Sequence, residues 1–156
     1  MTNNKKIVKV QSDLGVSAYL LMNKFNLLGK KDKNFYFEIN DNEENKFDEL
    51  IVSYLLSEFH YFDHCLMGLK KLQDFNIKNN SNYFVTDLGV AAYLLMHKFK
   101  LISKINKSFY FDVVSNEEEN QFNELNLQYT NSDFHDFDSK IMSLKKIGSF
   151  FKKNHI

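Results

Sequence analysis

The chain has 156 residues, 44% hydrophobic and 15% aromatic, and its 20 basic and 20 acidic residues cancel to a formal net charge of zero. Sixteen Phe and eight Tyr supply apolar surface for a packed core, which excludes a disordered chain, and zero net charge removes the long-range field that steers proteins onto nucleic acid or anionic membranes. Every basic residue is Lys, so the bidentate reading of phosphate or guanine that Arg performs is excluded as well.

In chain order, Ile7, Val8 and Val10 predict a short first strand. Ser12 stands where a hydroxyl would cap a helix, and Asp13 places a negative charge in its first turn. Leu14, Ala18, Leu21, Met22 and Phe25 follow at helical spacing, with Val16, Tyr19 and Leu20 widening the apolar face, so this helix should be heavily buried. Leu27 and Leu28 begin a second strand, 29–34 reads as a turn, and Phe35, Phe37 and Ile39 alternate with Tyr36 and Glu38 as a third strand closing a hairpin. From 43 to 71, Phe47, Leu50, Ile51, Tyr54, Phe59, Phe62, Leu66 and Leu69 recur at helical intervals, ending in Lys70 and Lys71 where a helix dipole favours cations. A break is expected near Ser57, and 74–82 reads as a polar, Asn-rich linker.

The pattern then starts again. Residues 13–25 read DLGVSAYLLMNKF and residues 87–99 read DLGVAAYLLMHKF, so only Ser17/Ala91 and Asn23/His97 differ. Tyr83, Phe84 and Val85 repeat the first strand, Thr86 the expected cap, and Leu101 and Ile102 the second strand. Thr130, Asn131 and Ser132 make a poor helix interior and a good cap, while Leu125, Leu127 and Tyr129 alternate like a strand. The expected fold is α+β: two tandem copies, 1–76 and 82–156, of a small β-α-β-β-α(α) domain. A domain of this size buries only about 60% of its unfolded surface, so the copies are expected to pack about a pseudo-twofold axis.

The lone Cys65 cannot close an internal disulfide, and no secretory-signal pattern opens the chain, so the expected setting is the cytoplasm. No apolar run approaches the roughly 20 residues that span a bilayer, and no membrane partner is expected. His60 with Asp63, and His135 with Asp138, stand three apart on a helix and share a face, where a metal or a proton would fit; His64 adds a ligand in the first copy alone. First-turn electrostatics explains both pairs more simply. Ser12 with Asp13 and Thr86 with Asp87 are caps before they are nucleophiles, since no His accompanies them. Gly15 and Gly89 belong to no phosphate loop. No catalytic set, metal or cofactor is expected, nor a small-molecule ligand.

Glu43 and Glu44, and Glu117, Glu118 and Glu119, should open helices. Together with Asp41, Asp48 and Glu49 they would also imitate a phosphate backbone in a partner's basic groove. Allowing for one insertion at Glu119, Ile51, Leu55, Tyr61 and Cys65 align with Asn126, Thr130, Asp136 and Lys140. On a continuous helix those four positions span an arc of about 120°, so the first copy would carry an apolar stripe that the second has made polar. Such a stripe either binds a partner or packs internally.

The strings Thr86-Asp-Leu-Gly-Val-Ala-Ala-Tyr-Leu-Leu-Met, Phe109-Tyr-Phe-Asp, Asn-Glu-Glu, Ser132-Asp-Phe-His-x-Phe-Asp and Leu144-Lys-Lys resemble a family of short domains of unknown function in Firmicutes, their phages and mobile elements. The resemblance covers nearly all of each copy, implies a phage or mobile-element origin, and carries no catalytic residue. This chain departs from the usual single-domain form by doubling it. The expected function is therefore a non-enzymatic protein-binding module acting stoichiometrically on a host protein or nucleoprotein complex, for example as an inhibitor of a CRISPR nuclease. The alternative is a nucleic-acid-binding accessory protein using Tyr36, Tyr110, Lys70, Lys71, Lys145 and Lys146, since aromatic faces on a sheet stack bases at roughly 1–3 kcal/mol each.

Overall fold

The computed structural model describes residues 5–78 and 81–152. Its elements run β1 (Lys6–Gln11), α1 (Leu14–Met22), β2 (Asn26–Lys31), β3 (Asn34–Asn40), a 3-10 turn (Asp41–Glu43), α2 (Glu44–Leu55), α3 (Glu58–Lys71) and β4 (Phe75–Asn76). The same order, without the 3-10 turn, then recurs as β5 (Phe84–Val85), α4 (Leu88–Met96), β6 (Lys100–Ile105), β7 (Ser108–Asp112), α5 (Asn116–Tyr129), α6 (Asp133–Lys146) and β8 (Phe150–Phe151). The described residues thus form a mixed α and β protein with two four-stranded antiparallel sheets.

The compact units cut across the segments 1–76 and 82–156. One unit takes the chain up to His60 and again from Asp136 onward, and the other is Tyr61–His135. The sheets are divided the same way: β8 completes the order β1-β3-β2-β8, and β4 completes β4-β6-β7-β5. Most of α6, with β8, therefore belongs to the unit built on β1–β3, and most of α3, with β4, to the unit built on β5–β7. The helix breaks redirect the chain. Leu56 and Ser57 separate α2 from α3, with the Ser57 hydroxyl accepting the His60 amide at 3.3 Å, and Ser132 accepts the His135 amide at 3.2 Å.

In the first unit, the inward side chains of β3 (Phe35, Phe37, Ile39) and those of α1 (Val16, Ala18, Leu20) are buried. Phe47 of α2 sits between Phe25 and Phe37, with ring centroids 5.3 and 5.8 Å away. From α6, Phe137 is enclosed against Tyr54 and Phe59, at 6.0 and 5.5 Å. Lys30 of β2 donates to the carbonyls of Leu144 and Ile147 at 3.0 and 2.9 Å, holding the end of α6, whose open carbonyls favour a cation. In the second unit, Phe62 of α3 packs on Tyr129 and Phe134, at 6.1 and 5.4 Å, and Phe122 on Phe99 and Phe111, at 5.7 and 6.0 Å.

Several local expectations need correction. The caps of α1 and α4 are Asp13 and Asp87, whose carboxylates accept the Val16 and Val90 amides at 2.8 and 3.0 Å, one residue later than the expected Ser12 and Thr86. A carboxylate at the extended residue reaches the third helical amide, so the helices begin at Leu14 and Leu88. The hairpin turn is two residues, Asp32 and Lys33, with Asp32 left-handed at φ 57; Gly29 lies inside β2, beside a bulge. The expected linker contains β4. Finally, Leu125 and Tyr129, one helical turn apart, are buried on α5 while Leu127 is exposed, so that stretch is helix.

Both α1 and α4 end in a left-handed lysine, Lys24 and Lys98, with φ 71. Phe25 and Phe99 donate back to Leu20 and Leu94, a Schellman closure usually made by Gly. Asn23 and His97, one of the two differences in the repeated string, do the same work: each side chain meets the carbonyl four residues earlier at 2.8 Å.

Candidate binding surface

β1 and β3 pair with Val10 opposite Tyr36 and Val8 opposite Glu38. Because strand side chains alternate, burial of Phe35, Phe37 and Ile39 turns Tyr36 and Glu38 to the other face, and Val8 and Val10 with them. Tyr36 stands opposite Gly29, and Gly29 opposite Phe151. The outward face of the first unit's sheet thus carries one row across all four strands: Val10, Tyr36, Gly29, Phe151. Val8, Val10 and Phe151 are 51%, 52% and 51% exposed. The Tyr36 and Phe151 rings lie 5.2 Å apart. A Cβ on Gly29 would fall into the Phe151 ring and the Phe150 carbonyl, so the missing side chain is what lets the aromatic row close.

The matching row of the second unit is Phe84, Tyr110, Ser103, Asn76. The Phe84 and Tyr110 rings lie tilted with centroids 5.3 Å apart, but the glycine's place is held by a buried Ser103 whose hydroxyl donates to the Phe75 carbonyl at 3.1 Å, and the outer aromatic's place by Asn76. Sequence reading singled out Tyr36 and Tyr110, and the structure puts both on outward faces. It missed Val8, Val10 and Phe151; the alternation in β1 was the available signal, and β8 is too short to show any.

Of the lysines expected beside those tyrosines, Lys145 and Lys146 lie on α6 in the first unit and Lys70 and Lys71 on α3 in the second. Lys145 borders a cleft of about 300 Å³ lined by Ser12, Leu14, Lys30, Phe35 and Leu144, on the side to which Phe35 points and Tyr36 does not. Lys146 follows it on α6, and Lys70 and Lys71 end α3, all exposed.

The apolar stripe rests on a continuous helix, and the break at Leu56 and Ser57 removes that premise. Ile51 and Leu55 lie on α2 in the first unit, and Tyr61 and Cys65 on α3 in the second. Leu55 is 56% exposed and Ile51 half-buried. Tyr61 is exposed, with the Lys98 ammonium 5.7 Å from its ring centre. Cys65 is half-buried, and burial pushes its thiol up while Lys98 opposes the shift. Among the carboxylates, Glu43 accepts the Asn40 amides at 3.3 and 2.8 Å, and Glu118 accepts the Val114 amide at 3.1 Å, so both close helix starts. Glu44 and Asp48 hold Lys9 at 3.2 and 3.3 Å. Glu117 is exposed, and burial, reinforced by the Glu119 carboxylate, pushes the Tyr83 hydroxyl up.

His60 and His135 are edge partners of buried tyrosines, with ring centroids 5.3 Å from Tyr54 and 5.4 Å from Tyr129. Among the described residues no three His, Cys, Asp or Glu gather where they could hold a metal ion, and no helix is long and apolar enough to cross a membrane. No family model, curated protein or solved structure matches the chain.

Proposed function

We propose that the protein is a non-enzymatic binding module that engages a host protein or nucleoprotein complex stoichiometrically through the outward sheet face of its first unit. One observation carries this reading. Where an antiparallel sheet with one solvated face ordinarily alternates apolar-in with polar-out, Val8, Val10, Tyr36 and Phe151 put apolar and aromatic side chains outward, and contiguous exposed apolar surface of that kind marks interaction sites. The second unit's more polar row supports a division of labour between two copies of a duplicated domain, and the near-identity of 13–25 with 87–99 supports the duplication. A phage or mobile-element origin, and with it a CRISPR nuclease as target, rests on the family resemblance.

The test is affinity capture with mass spectrometry from the native host, comparing wild type with a Tyr36→Ser, Phe151→Ser double variant and a Phe84→Ser control. A stoichiometric partner held by wild type and control but released by the double variant supports the reading. No such partner, or one that the double variant retains, removes it. Nucleic-acid binding is the second reading, favoured by the outward rings of Tyr36 and Tyr110. It requires a gel shift at low salt, where the phosphate contribution is strongest.

A further inference from the structure

Among the described residues β1 is an edge strand of the first unit's sheet. The Asp41 amide donates to the Lys5 carbonyl at 2.8 Å, and Lys6 stands opposite Asn40. In an antiparallel ladder hydrogen-bonded and non-bonded pairs alternate. Ile7, Lys9 and Gln11 therefore turn their amides and carbonyls toward β3, and Lys6, Val8 and Val10 turn theirs away from it. The same three residues carry the exposed side chains of the strand. Open donors and acceptors joined to exposed apolar side chains make a template for a further strand. The corresponding edge of the second unit is only Phe84–Val85.

We infer that β1 pairs antiparallel with β1 of a second copy of this chain, on a twofold axis through Val8. Opposed residues share a face, so a symmetric register centres on a residue, and the two registers pairing five residues of Lys6–Gln11 centre on Val8 or Lys9. The Lys9 register sets ammonium against ammonium, which destabilises a cross-strand pair. The Val8 register sets Val8 against Val8, Lys6 against Val10 and Ile7 against Lys9, and its bonded pairs are those formed by the free amides. Charge favours it again at the flank. Glu44 and Asp48 put two carboxylates on the single Lys9 ammonium, and this register brings the second copy's Lys9 diagonally beside them on the same face. A chain of zero net charge offers no long-range repulsion to the encounter.

The pairing uses the backbone edge of β1, whose Val8 side chain also lies on the proposed binding face, and its test reads self-association alone. Sedimentation velocity from low micromolar to near-millimolar protein should show a concentration-dependent monomer–dimer equilibrium. Val8→Pro removes the central donor while sparing the β1–β3 bonds, since that amide points away from β3, and Val8→Glu sets two carboxylates face to face. Each should raise the dimer dissociation constant about tenfold or more, a loss of about 1.4 kcal/mol per decade, with an unchanged circular dichroism spectrum. Leu127→Glu, exposed on α5 in the other unit, should leave it unchanged. A monomer at every concentration, or a dimer that tolerates both Val8 variants, overturns the pairing. A monomer that still captures a host partner overturns the pairing and leaves the binding function standing.

Discussion

Phe137 is one of the side chains that fasten α6 to the first unit, with Ile141 and Leu144, and replacing it with alanine tests that attachment. Its ring is fully enclosed, 6.0 Å from Tyr54 with planes 29° apart and 5.5 Å from Phe59. Truncating a buried Phe costs about 3–5 kcal/mol. Aromatic pairs contribute about 0.5–1.5 kcal/mol beyond their buried area, and the pairs with Tyr54 and Phe59 are lost, so the upper part of that range is expected. Against a typical stability of about 5–15 kcal/mol this is a large fraction, and for a unit of this size it lowers the Tm by about 15 °C or more. Urea denaturation gives the magnitude, and aromatic NMR shifts give the location. In the folded variant the ring resonances of Tyr54 and Phe59 move while those of Tyr93 and Tyr129 hold. Movement at Tyr93 and Tyr129 with Tyr54 unmoved would refute the placement of α6, and a cost below about 1 kcal/mol would refute the packing.

Gly89 is packed against Tyr129, and a Cβ there would fall on the phenol hydroxyl and its ring carbon; Gly89→Ala should cost about 1–3 kcal/mol by overpacking, with part recovered by Tyr129→Phe, and an undiminished loss in the double variant would contradict that contact. Cys65, pushed up by burial, should alkylate more slowly at neutral pH in the folded chain than in urea, and Lys98→Met should slow it further; equal folded and unfolded rates would contradict this. Asp74 accepts the Asn106 amide and the Lys104 ammonium, each at 3.1 Å, which hold its carboxyl below the ordinary aspartate range. The unfolded chain therefore takes up that proton first on acidification, so the stabilisation is present above the ordinary range and is lost as pH falls through the lowered value. Asp74→Asn should flatten the acid limb of urea midpoints measured against pH, and an unchanged limb would count against the bonds.

Helical periodicity made α1, α2 and α4 legible, and the hydroxyl residues Ser57 and Ser132 marked the breaks, because those signals are local. The cap was displaced by one residue because Ser12 and Asp13 are both good caps and only backbone geometry separates them. Gly29 reads as a turn because glycine usually punctuates; its use is to admit the Phe151 ring, a contact across more than a hundred residues of chain. β4 and β8 are two residues each, too short for a period of two to appear. The exchange of α3 and α6 was invisible for a different reason. The strings EFHYFDHCLMGLKK and DFHDFDSKIMSLKK share the inward Phe, Leu and terminal lysines, so either helix has the pattern to fill either unit, and periodicity does not say which sheet a helix joins. The outward row of the candidate surface inherits that blindness, since Phe151 reaches Tyr36 only through the exchange.

The exchange of each half's final helix and strand is tested most directly by nuclear Overhauser contacts in the intact, uniformly labelled protein. Cross-peaks are expected between the Phe151 ring and the Gly29 α-protons, and between Phe75 and Lys104. Cross-peaks from Phe75 to Lys30 and from Phe151 to Ser103, with the expected pair absent, would mean that each half keeps its own last helix and strand, and would dissolve the outward row on which the binding function rests.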